Sequence, residues 1–313
     1  MFSIVFPGQG SQKIGMVKEF YDKYDLAKQI FKDADAILDI PITKIIFEGP
    51  ENKLNLTENT QPAIFLASYC IFEIIKKEFG YDFKKSKYFA GHSLGEYSAL
   101  ACAGSISFED TLKILQKRGK FMQEAVPSGD GAMLAVLGVS SRELDKILHE
   151  NNKKYECFIA NDNSNFQVII SGLKKDINLL SEDLNSKKIK NLKLNVSAPF
   201  HCKYMKTASE KMSSHINELK MNELDKPIIS NVTANETSSL KEIKSLLISQ
   251  IEKKVRWLES VEYMINNGVK NFVEIGPGKV LSGLIKRINK NVNVSSINNE
   301  EDIKLLINDK FKK

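Results

Sequence analysis

Short apolar runs alternate with longer amphipathic runs in the first third of the chain. The run Ser3–Phe6 is mostly apolar and stops at Pro7-Gly8, which predicts a buried strand. Helical periodicity covers Ala63–Lys77, and Tyr88–Ala90 predicts a short strand that enters a glycine-rich turn, with a helix over Glu96–Ala103 directly after it. Strands that alternate with helices in this way predict an α/β fold with a central parallel sheet.

From Gly131 onward the predicted elements follow a different order. They read strand, helix, strand, strand, helix, strand, over Ala132–Leu137, Arg142–Glu150, Glu156–Ala160, Gln167–Ser171, Lys175–Asn185 and Ile189–Val196. This βαββαβ order is the ferredoxin-like arrangement. The chain then returns to an α/β pattern, with a helix over Leu240–Lys253, a strand over Asn271–Ile275 and a turn at Gly276-Pro277-Gly278.

Two hinge-like segments flank this second pattern, at Pro127–Gly131 and at Ala198-Pro199. We therefore predict a ferredoxin-like small subdomain over residues 128–197, inserted into a hydrolase-like large α/β subdomain formed by residues 1–127 and 198–313. A cleft between the two subdomains is the expected ligand site.

Composition narrows the class of protein. The chain has 313 residues, 42% of them hydrophobic, which is enough for a sizeable core. It shows no secretory signal pattern and no run as long as a membrane span, so we expect a protein of the cytoplasm or an organelle matrix that binds neither membrane nor nucleic acid. The four cysteines are scattered, which favours reduced thiols over a zinc site or a disulfide framework. The net charge of +6 suits a phosphate-bearing ligand or an acidic partner, although lysine and asparagine are abundant throughout.

The most specific chemical motif is Gly91-His92-Ser93-Leu94-Gly95, a GxSxG pattern between a predicted strand and a predicted helix. A sharp strand-to-helix turn requires glycine on both sides of an exposed serine, and the helix N-terminus favours developing negative charge. The motif therefore predicts a nucleophilic serine. The alternative is a tight turn in which Ser93 only caps the helix.

A serine hydroxyl needs a base to take its proton, and the chain offers four histidines. His92 is adjacent to the serine but should point elsewhere, His149 ends a subdomain helix, and His215 lies in an amphipathic run. His201 follows the second predicted hinge, where its side chain can face the cleft. His201 is therefore the favoured base.

Acyl transfer also needs two N–H groups directed at an oxyanion. The N–H of Leu94, directly after Ser93, can supply one. The glycine-containing segment Pro7–Gln12, after the first strand, can bring a second N–H close, although it can equally be an ordinary loop.

Several separate segments resemble one family, the malonyl-CoA:acyl-carrier-protein transacylases of fatty-acid synthesis. The resemblance covers nearly the whole chain, and its segments occur in the same order: Phe6–Gln12, Gly91–Tyr97, Gln116–Gly119, Ala198–His201, Val261–Met264 and Glu274–Leu281. Their joint occurrence is far more specific than GxSxG alone.

The resemblance implies a ping-pong reaction at one serine. Ser93 would be the nucleophile, His201 the base, and the backbone N–H groups of Gln9 and Leu94 the oxyanion hole. The substrate would be a coenzyme A thioester, with no cofactor and no metal bound permanently. The partner would be an acidic acyl carrier protein bound transiently, and we expect a monomer.

Three further roles follow from the same resemblance. Arg118 would bind the free malonyl carboxylate, and a planar guanidinium suits a carboxylate better than lysine does, although sequence alone cannot choose Arg118 over Lys117. The backbone carbonyl of Gln250 would orient His201. Phe200 resembles the bulky residue that precedes the histidine in malonyl-selective relatives. The segment Asn161–Gln167 departs from the family because it lacks the expected Pro-Gly turn.

Four alternatives stay open at the sequence level. The elbow suits a serine hydrolase, although an α/β-hydrolase usually places its histidine late and carries an HGGG-type loop, which is missing here. An acyltransferase of different acyl selectivity in polyketide synthesis fits the motifs equally. A carrier-binding scaffold without activity is a third possibility. A mechanism based on Cys202 is the least favoured, because Cys202 directly follows His201 and adjacent residues rarely face one another productively.

Overall fold

The structure is a computed structural model that describes residues 1–127, 129–196 and 198–308. In these ranges the strands are β1 (Phe2–Phe6), β2 (Phe89–Gly91), β3 (Gly131–Leu137), β4 (Cys157–Ser164), β5 (Gln167–Leu173), β6 (Asn191–Lys193), β7 (Ile228–Ile229), β8 (Glu236–Thr237), β9 (Asn271–Ile275) and β10 (Asn293–Ile297). The helices before β3 are α1 (Lys18–Lys23), α2 (Asp25–Leu38), α3 (Ile42–Glu48), α4 (Glu51–Leu54), α5 (Thr57–Lys77), α6 (Leu94–Cys102) and α7 (Phe108–Gln123). The later helices are α8 (Ser141–Glu150), α9 (Lys174–Ser186), α10 (Lys206–Glu218), α11 (Leu240–Gln250), α12 (Trp257–Asn266), α13 (Val280–Ile288) and α14 (Glu300–Asn308).

The larger sheet has six strands in the order β10-β9-β1-β2-β7-β8, all parallel except the edge strand β8. Strand β1 lies inside this sheet and is buried along its whole length, because helices cover both faces of a parallel sheet. Phe6 and Gly91 are partners in the register of β1 and β2, so the carboxyl ends of these two strands lie side by side. The segments that follow these two strands form the edge of the sheet where α/β proteins place their sites.

The smaller sheet is antiparallel, with the order β4-β5-β3-β6. Side chains point alternately to the two faces of this sheet, and both faces bury apolar side chains. Leu134 and Val136 pack with α8 and α9 in a separate core, whereas Met133 and Ala135 join the main core of the protein. The second face therefore lies against the large sheet's subdomain. The predicted fold class, a parallel α/β unit with an inserted βαββαβ unit, is confirmed.

The bounds of several elements differ from the sequence-based prediction. Helix α5 begins at Thr57 and runs through Pro62, although the sequence places the start after this proline. Nearly every residue of α5 is buried, so tertiary packing outweighs the hydrogen bond that proline removes. Helix α11 ends at Gln250 instead of Lys253, and β6 is limited to Asn191–Lys193. The subdomain boundaries at residues 127/128 and 197/198 stay predictions.

Most of the segment expected as an atypical loop is instead strand: residues 161–164 continue β4, and only Asn165 and Phe166 form the turn before β5. Residues up to Ser164 pair with β5, with register irregularities between Ile159 and Asn161 and between Asp162 and Ser164. Such bulges redirect side chains and bend the strand. At the same place the amide of Asp162 donates to the carbonyl of Val255 (2.9 Å), which ties the small sheet to the segment after α11.

Candidate active site

Ser93 occupies a sharp turn between β2 and α6. Its backbone has φ 54° and ψ −109°, a conformation that non-glycine residues rarely adopt and that costs roughly 1–3 kcal/mol. A Cβ on Gly91 would overlap the carbonyl group of Gly95, and a Cβ on Gly95 would overlap the carbonyl oxygen of Phe6. The two glycines of GxSxG are therefore required by close backbone approach, and the turn holds the serine in a strained position typical of a nucleophile elbow.

His201 lies within hydrogen-bond distance of this serine. Ser93 Oγ is 2.8 Å from His201 Nε2, and His201 Nδ1 is 2.8 Å from the backbone carbonyl oxygen of Gln250. A carbonyl only accepts, so Nδ1 carries the proton and Nε2 is left to accept the proton of Ser93. The pair has the geometry of a nucleophile and its general base, and a carbonyl orients the base where other triads use a carboxylate.

The environment of His201 keeps its imidazole neutral. Burial, as the larger cause, and the positive charge of Arg118 together lower the pKa of His201 to about 3, although the hydrogen bond to the Gln250 carbonyl acts in the opposite direction. His201 is only 4% exposed. In the free protein the base is therefore unprotonated well below the pH at which an ordinary histidine takes up a proton.

This lowered pKa predicts a flat pH profile for acylation of Ser93. With acetyl-CoA, whose acyl group carries no titrating carboxylate, we expect kcat/KM for acyl-enzyme formation to change by less than about threefold between pH 7 and 5.5. A histidine with a pKa of about 6.5 would instead give a fall of roughly eightfold over this range. Acyl-enzyme formation can be followed by intact-protein mass spectrometry after rapid quenching. Samples returned to pH 7 control for acid inactivation, and an eightfold reversible fall would contradict the prediction.

Arg118 on α7 is buried and reaches the same serine. Arg118 is 1% exposed, and its Nη2 lies 3.2 Å from Ser93 Oγ. Its guanidinium lies over the ring of Tyr97, with the guanidinium carbon 5.4 Å from the ring centre. Lys117 points away from the site on the exposed face of the helix, with its Nζ 3.3 Å from His215 Nδ1. The structure thus distinguishes two positions that the sequence left equivalent, and only Arg118 lies at the site.

Two glutamines fix the guanidinium. Arg118 Nη1 donates to Gln61 Oε1 and Nη2 donates to Gln250 Oε1, each at 2.8 Å. Among the residues that the structure describes, the buried Nε of Arg118 has no hydrogen-bond partner. A buried guanidinium that neutral amides hold retains its full charge for an anion. Arg118 therefore presents a buried positive charge beside Ser93, and its role in binding a carboxylate stays a prediction.

The predicted oxyanion-hole residues border the same pocket. Leu94 is the first residue of α6, so its N–H has no acceptor within the helix, whereas the N–H of Ser93 already donates to Asn231 Oδ1 at 2.7 Å. Gln9 lies in the loop after β1 and also lines the pocket. The loop packs closely against Gly276, which has a φ of 147°. A Cβ added to Gly276 would lie only 2.6 Å from the Pro7 ring. The geometry brings Gln9 and Leu94 together, and their role stays a prediction.

The pocket at Ser93 is small, with a volume of about 80 Å³. Pockets for drug-sized ligands span roughly 300–1,000 Å³, so this one suits an acyl group of a few carbons. Its apolar wall combines residues of both subdomains: Met122, Met133, Ile169, Leu194, Val196 and Phe200. Phe200 is 6% exposed and lies directly before His201 in this wall, and its role in acyl selectivity stays a prediction.

The other three histidines lie in different environments. His92 Nε2 is 2.9 Å from Asn163 Oδ1, and its ring faces Trp257 at 5.7 Å between centroids. His215 stacks on Phe121, and His149 lies in the last turn of α8. Of the four histidines, only His201 has a ring nitrogen within hydrogen-bond distance of Ser93 Oγ, in the part of the chain that the structure describes.

Several residues at the site were not predicted from the sequence. Gln61 holds Arg118, Asn231 binds both the N–H of Ser93 and the carbonyl of Gly91, and Asn161 lines the pocket. Glu96, one helical turn after Ser93, is buried beneath the elbow. No spacing rule indicates these residues, because their contacts join segments that are far apart in the chain.

Within residues 1–127, 129–196 and 198–308, no group of three metal-ligating side chains lies together, and all four cysteines are free thiols. In the same part of the chain, no helix combines the length and the apolar character that a membrane span needs.

A serine on a strained elbow, with a buried histidine and a buried arginine at its Oγ, is an arrangement typical of enzymes that form a serine ester with an acyl group. Comparisons with known proteins agree. The model of the acyl transferase domain family matches residues 3–307. The malonyl CoA-acyl carrier protein transacylase of Bacillus subtilis is 43% identical over 311 residues, which cover 97% of this chain and 96% of the relative.

Solved structures give the same result. An acyl-carrier-protein S-malonyltransferase from Bartonella henselae superposes with a TM-score of 0.94 and 38% identity, covering 98% of each chain. A malonyl-transacylase solved in complex with a type II polyketide acyl carrier protein superposes with a TM-score of 0.93 and 36% identity, covering 97% of this chain and 98% of that one. The chain belongs to the acyl transferase family, within its malonyl-CoA:acyl-carrier-protein transacylases, and is an acyltransferase.

Proposed function

We propose that this chain transfers the malonyl group of malonyl-CoA to the phosphopantetheine thiol of an acyl carrier protein through a malonyl ester on Ser93, for fatty-acid synthesis. The observation that carries this proposal is the contact of Ser93 Oγ with two groups, His201 Nε2 at 2.8 Å and Arg118 Nη2 at 3.2 Å. One partner activates the serine, and the other supplies a charge complementary to the free carboxylate that distinguishes malonyl from acetyl.

The first half-reaction loads the enzyme. His201 Nε2 takes the proton of Ser93, and Oγ attacks the thioester carbonyl of malonyl-CoA. The oxyanion of the tetrahedral intermediate faces the N–H groups of Gln9 and Leu94. The C–S bond then breaks, and the leaving coenzyme A sulfur takes the proton from His201.

The second half-reaction uses the same groups in reverse order. The carrier thiol passes its proton to His201 and attacks the malonyl ester, and Ser93 Oγ leaves and recovers that proton. Because the Gln250 carbonyl lies on Nδ1, it stabilises the imidazolium that forms in both halves.

The malonyl carboxylate also acts on the base. Arg118 lowers the pKa of His201 in the free protein, so an anion bound to the guanidinium opposes this effect and makes His201 a stronger proton acceptor. Malonyl-CoA would therefore promote its own transfer, whereas acetyl-CoA leaves the arginine charge uncompensated.

The test of this function is a two-step labelling experiment with the wild-type chain. Incubation with malonyl-CoA labelled in the malonyl group should place one malonyl ester on each chain, and addition of holo acyl carrier protein should move the label to the carrier as a thioester. Apo carrier protein, which lacks the thiol, is the control. Release of free malonate at the same rate with and without holo carrier would identify a hydrolase and overturn the proposal.

The proposal also covers the partner, the oligomeric state and the compartment of the protein. The net charge of +6 is complementary to an acidic carrier protein, and a transient complex with such a partner is part of the proposal. A monomer that works without a resident cofactor in the cytoplasm or an organelle matrix is also proposed. Transfer to a carrier of polyketide synthesis is the second candidate, because one of the solved relatives is bound to such a carrier.

A further inference from the structure

Glu96 is a buried carboxyl group for which the mechanism above has no role. It lies on α6 one turn after Ser93 and is 1% exposed. Its Oε2 accepts two hydrogen bonds, from the backbone N–H of Asn231 at 3.0 Å and from Gln250 Nε2 at 2.8 Å. Burying a carboxyl group is costly, so a position this close to the nucleophile calls for a function.

Gln250 connects this carboxyl group to the reacting groups. Its backbone carbonyl holds His201, and its side-chain Oε1 holds Arg118. Its Nε2 carries two N–H groups and has two main acceptors, Glu96 Oε2 at 2.8 Å and the backbone carbonyl of Ser93 at 3.0 Å. One glutamine thus contacts the base, the arginine and the elbow.

The orientation of the Gln250 amide decides whether Arg118 has an acceptor. A guanidinium only donates, so the amide must present Oε1 to Arg118 and Nε2 to the opposite side. Glu96 and the Ser93 carbonyl favour this orientation because both accept from Nε2. A turned amide would place N–H groups against the N–H groups of Arg118 and displace the guanidinium from Ser93.

We propose that Glu96 is a positioning residue that fixes the side-chain amide of Gln250 and, through it, the guanidinium of Arg118. The inference rests on the proposed function, because it assigns Arg118 to the malonyl carboxylate. It differs from a purely structural role in one respect: loss of the Glu96 acceptor should impair malonyl transfer selectively.

The protonation state of Glu96 does not alter this role. Burial outweighs the hydrogen bonds from Asn231 and Gln250 and the charge of Arg118, which all lower the pKa of Glu96, so that the pKa is raised to about 7. Both the carboxylate and the carboxylic acid retain an oxygen that accepts from Gln250 Nε2. The acceptor atom matters, and glutamine at position 96 can also supply it.

The experiment compares acylation of Ser93 by malonyl-CoA and by acetyl-CoA in Glu96→Leu and Glu96→Gln. We expect Glu96→Leu to lower the malonyl-to-acetyl ratio of kcat/KM by about fivefold or more, since a buried polar group that loses its partner costs this much discrimination. Glu96→Gln should keep the ratio within about threefold of wild type. An equal loss for both acyl groups in Glu96→Leu, or an equal loss of the ratio in both variants, would overturn the inference.

Two further variants test whether Glu96 acts through the Gln250 amide. The double variant Glu96→Leu/Gln250→Leu should show the ratio of Gln250→Leu alone, because Glu96 acts through that amide, and additive losses would contradict this. If Glu96→Leu does not fold, Glu96→Asp withdraws the acceptor by one methylene, and an unchanged ratio there would contradict the proposal. Failure of the wild-type chain to accept malonyl would refute the proposed function instead.

Discussion

Replacing Ser93 with alanine should abolish the malonyl-enzyme and lower malonylation of the carrier protein by at least about 10⁴-fold. In the proposed mechanism Ser93 Oγ is the atom that becomes acylated, and no neighbouring group at the elbow can replace it, because His201 and Arg118 both contact Oγ. The residual rate would come from binding and the oxyanion hole alone. The measurement is the mass of the intact protein after incubation with malonyl-CoA, combined with the rate of carrier malonylation.

The thiol of Cys202, which directly follows His201 in the chain, offers a matched control. Cys202 is buried, burial raises its pKa, and its Sγ donates to the carbonyl of Pro199 at 3.0 Å. A thiol with a raised pKa is a poor nucleophile. Cys202→Ser keeps this hydrogen bond and should retain more than about half of the wild-type rate. Label on Ser93→Ala that disappears when Cys202 is also replaced would show that the thiol, and not the serine, carries the acyl group.

The fold could be predicted from the sequence because its two periodicities differ. Apolar runs separated by helical periodicity identify the parallel unit, and the βαββαβ order identifies the inserted one. Bounds were wrong where tertiary contacts outweigh local preference. Pro62 lies inside α5, which is buried along nearly its full length. The irregular register around Asn161 disrupts the alternating pattern of β4, so this part of the strand looked like a loop.

The site was only partly accessible to the same reasoning. Ser93 follows from the strand-to-helix context of GxSxG, and its strained backbone fits that interpretation. The hinge position favoured His201, but the contact of Gln250 with both His201 and Arg118 depends on packing between segments far apart in the chain. Glu96 and Asn231 could not be predicted, because a hydrogen bond across more than a hundred residues leaves no trace in local periodicity.

Replacing Arg118 with alanine should separate malonyl transfer from acetyl transfer. The guanidinium is 1% exposed and lies 3.2 Å from Ser93 Oγ, so a carboxylate bound there is held away from water, where a charged hydrogen bond is strongest. We expect kcat/KM for malonyl-CoA to fall about 100-fold or more, since the substrate's carboxylate would be buried without a partner. Acetyl-CoA has no carboxylate to lose its partner, so its rate should change by less than about fivefold.

The effect of Arg118 on the pKa of His201 increases the expected difference between malonyl and acetyl transfer. Arg118 lowers the pKa of His201, so its removal makes the imidazole more basic and offsets part of the packing loss during acetyl transfer. Lys117→Ala, one residue earlier on the exposed face of α7, removes the same charge from the chain without touching the site and should leave both rates within about twofold. Equal losses for malonyl and acetyl in Arg118→Ala would mean that the arginine supports the fold of the site only. Selective loss of malonyl transfer would instead identify the buried guanidinium as the group that makes a general serine acyltransferase selective for a carboxylated substrate.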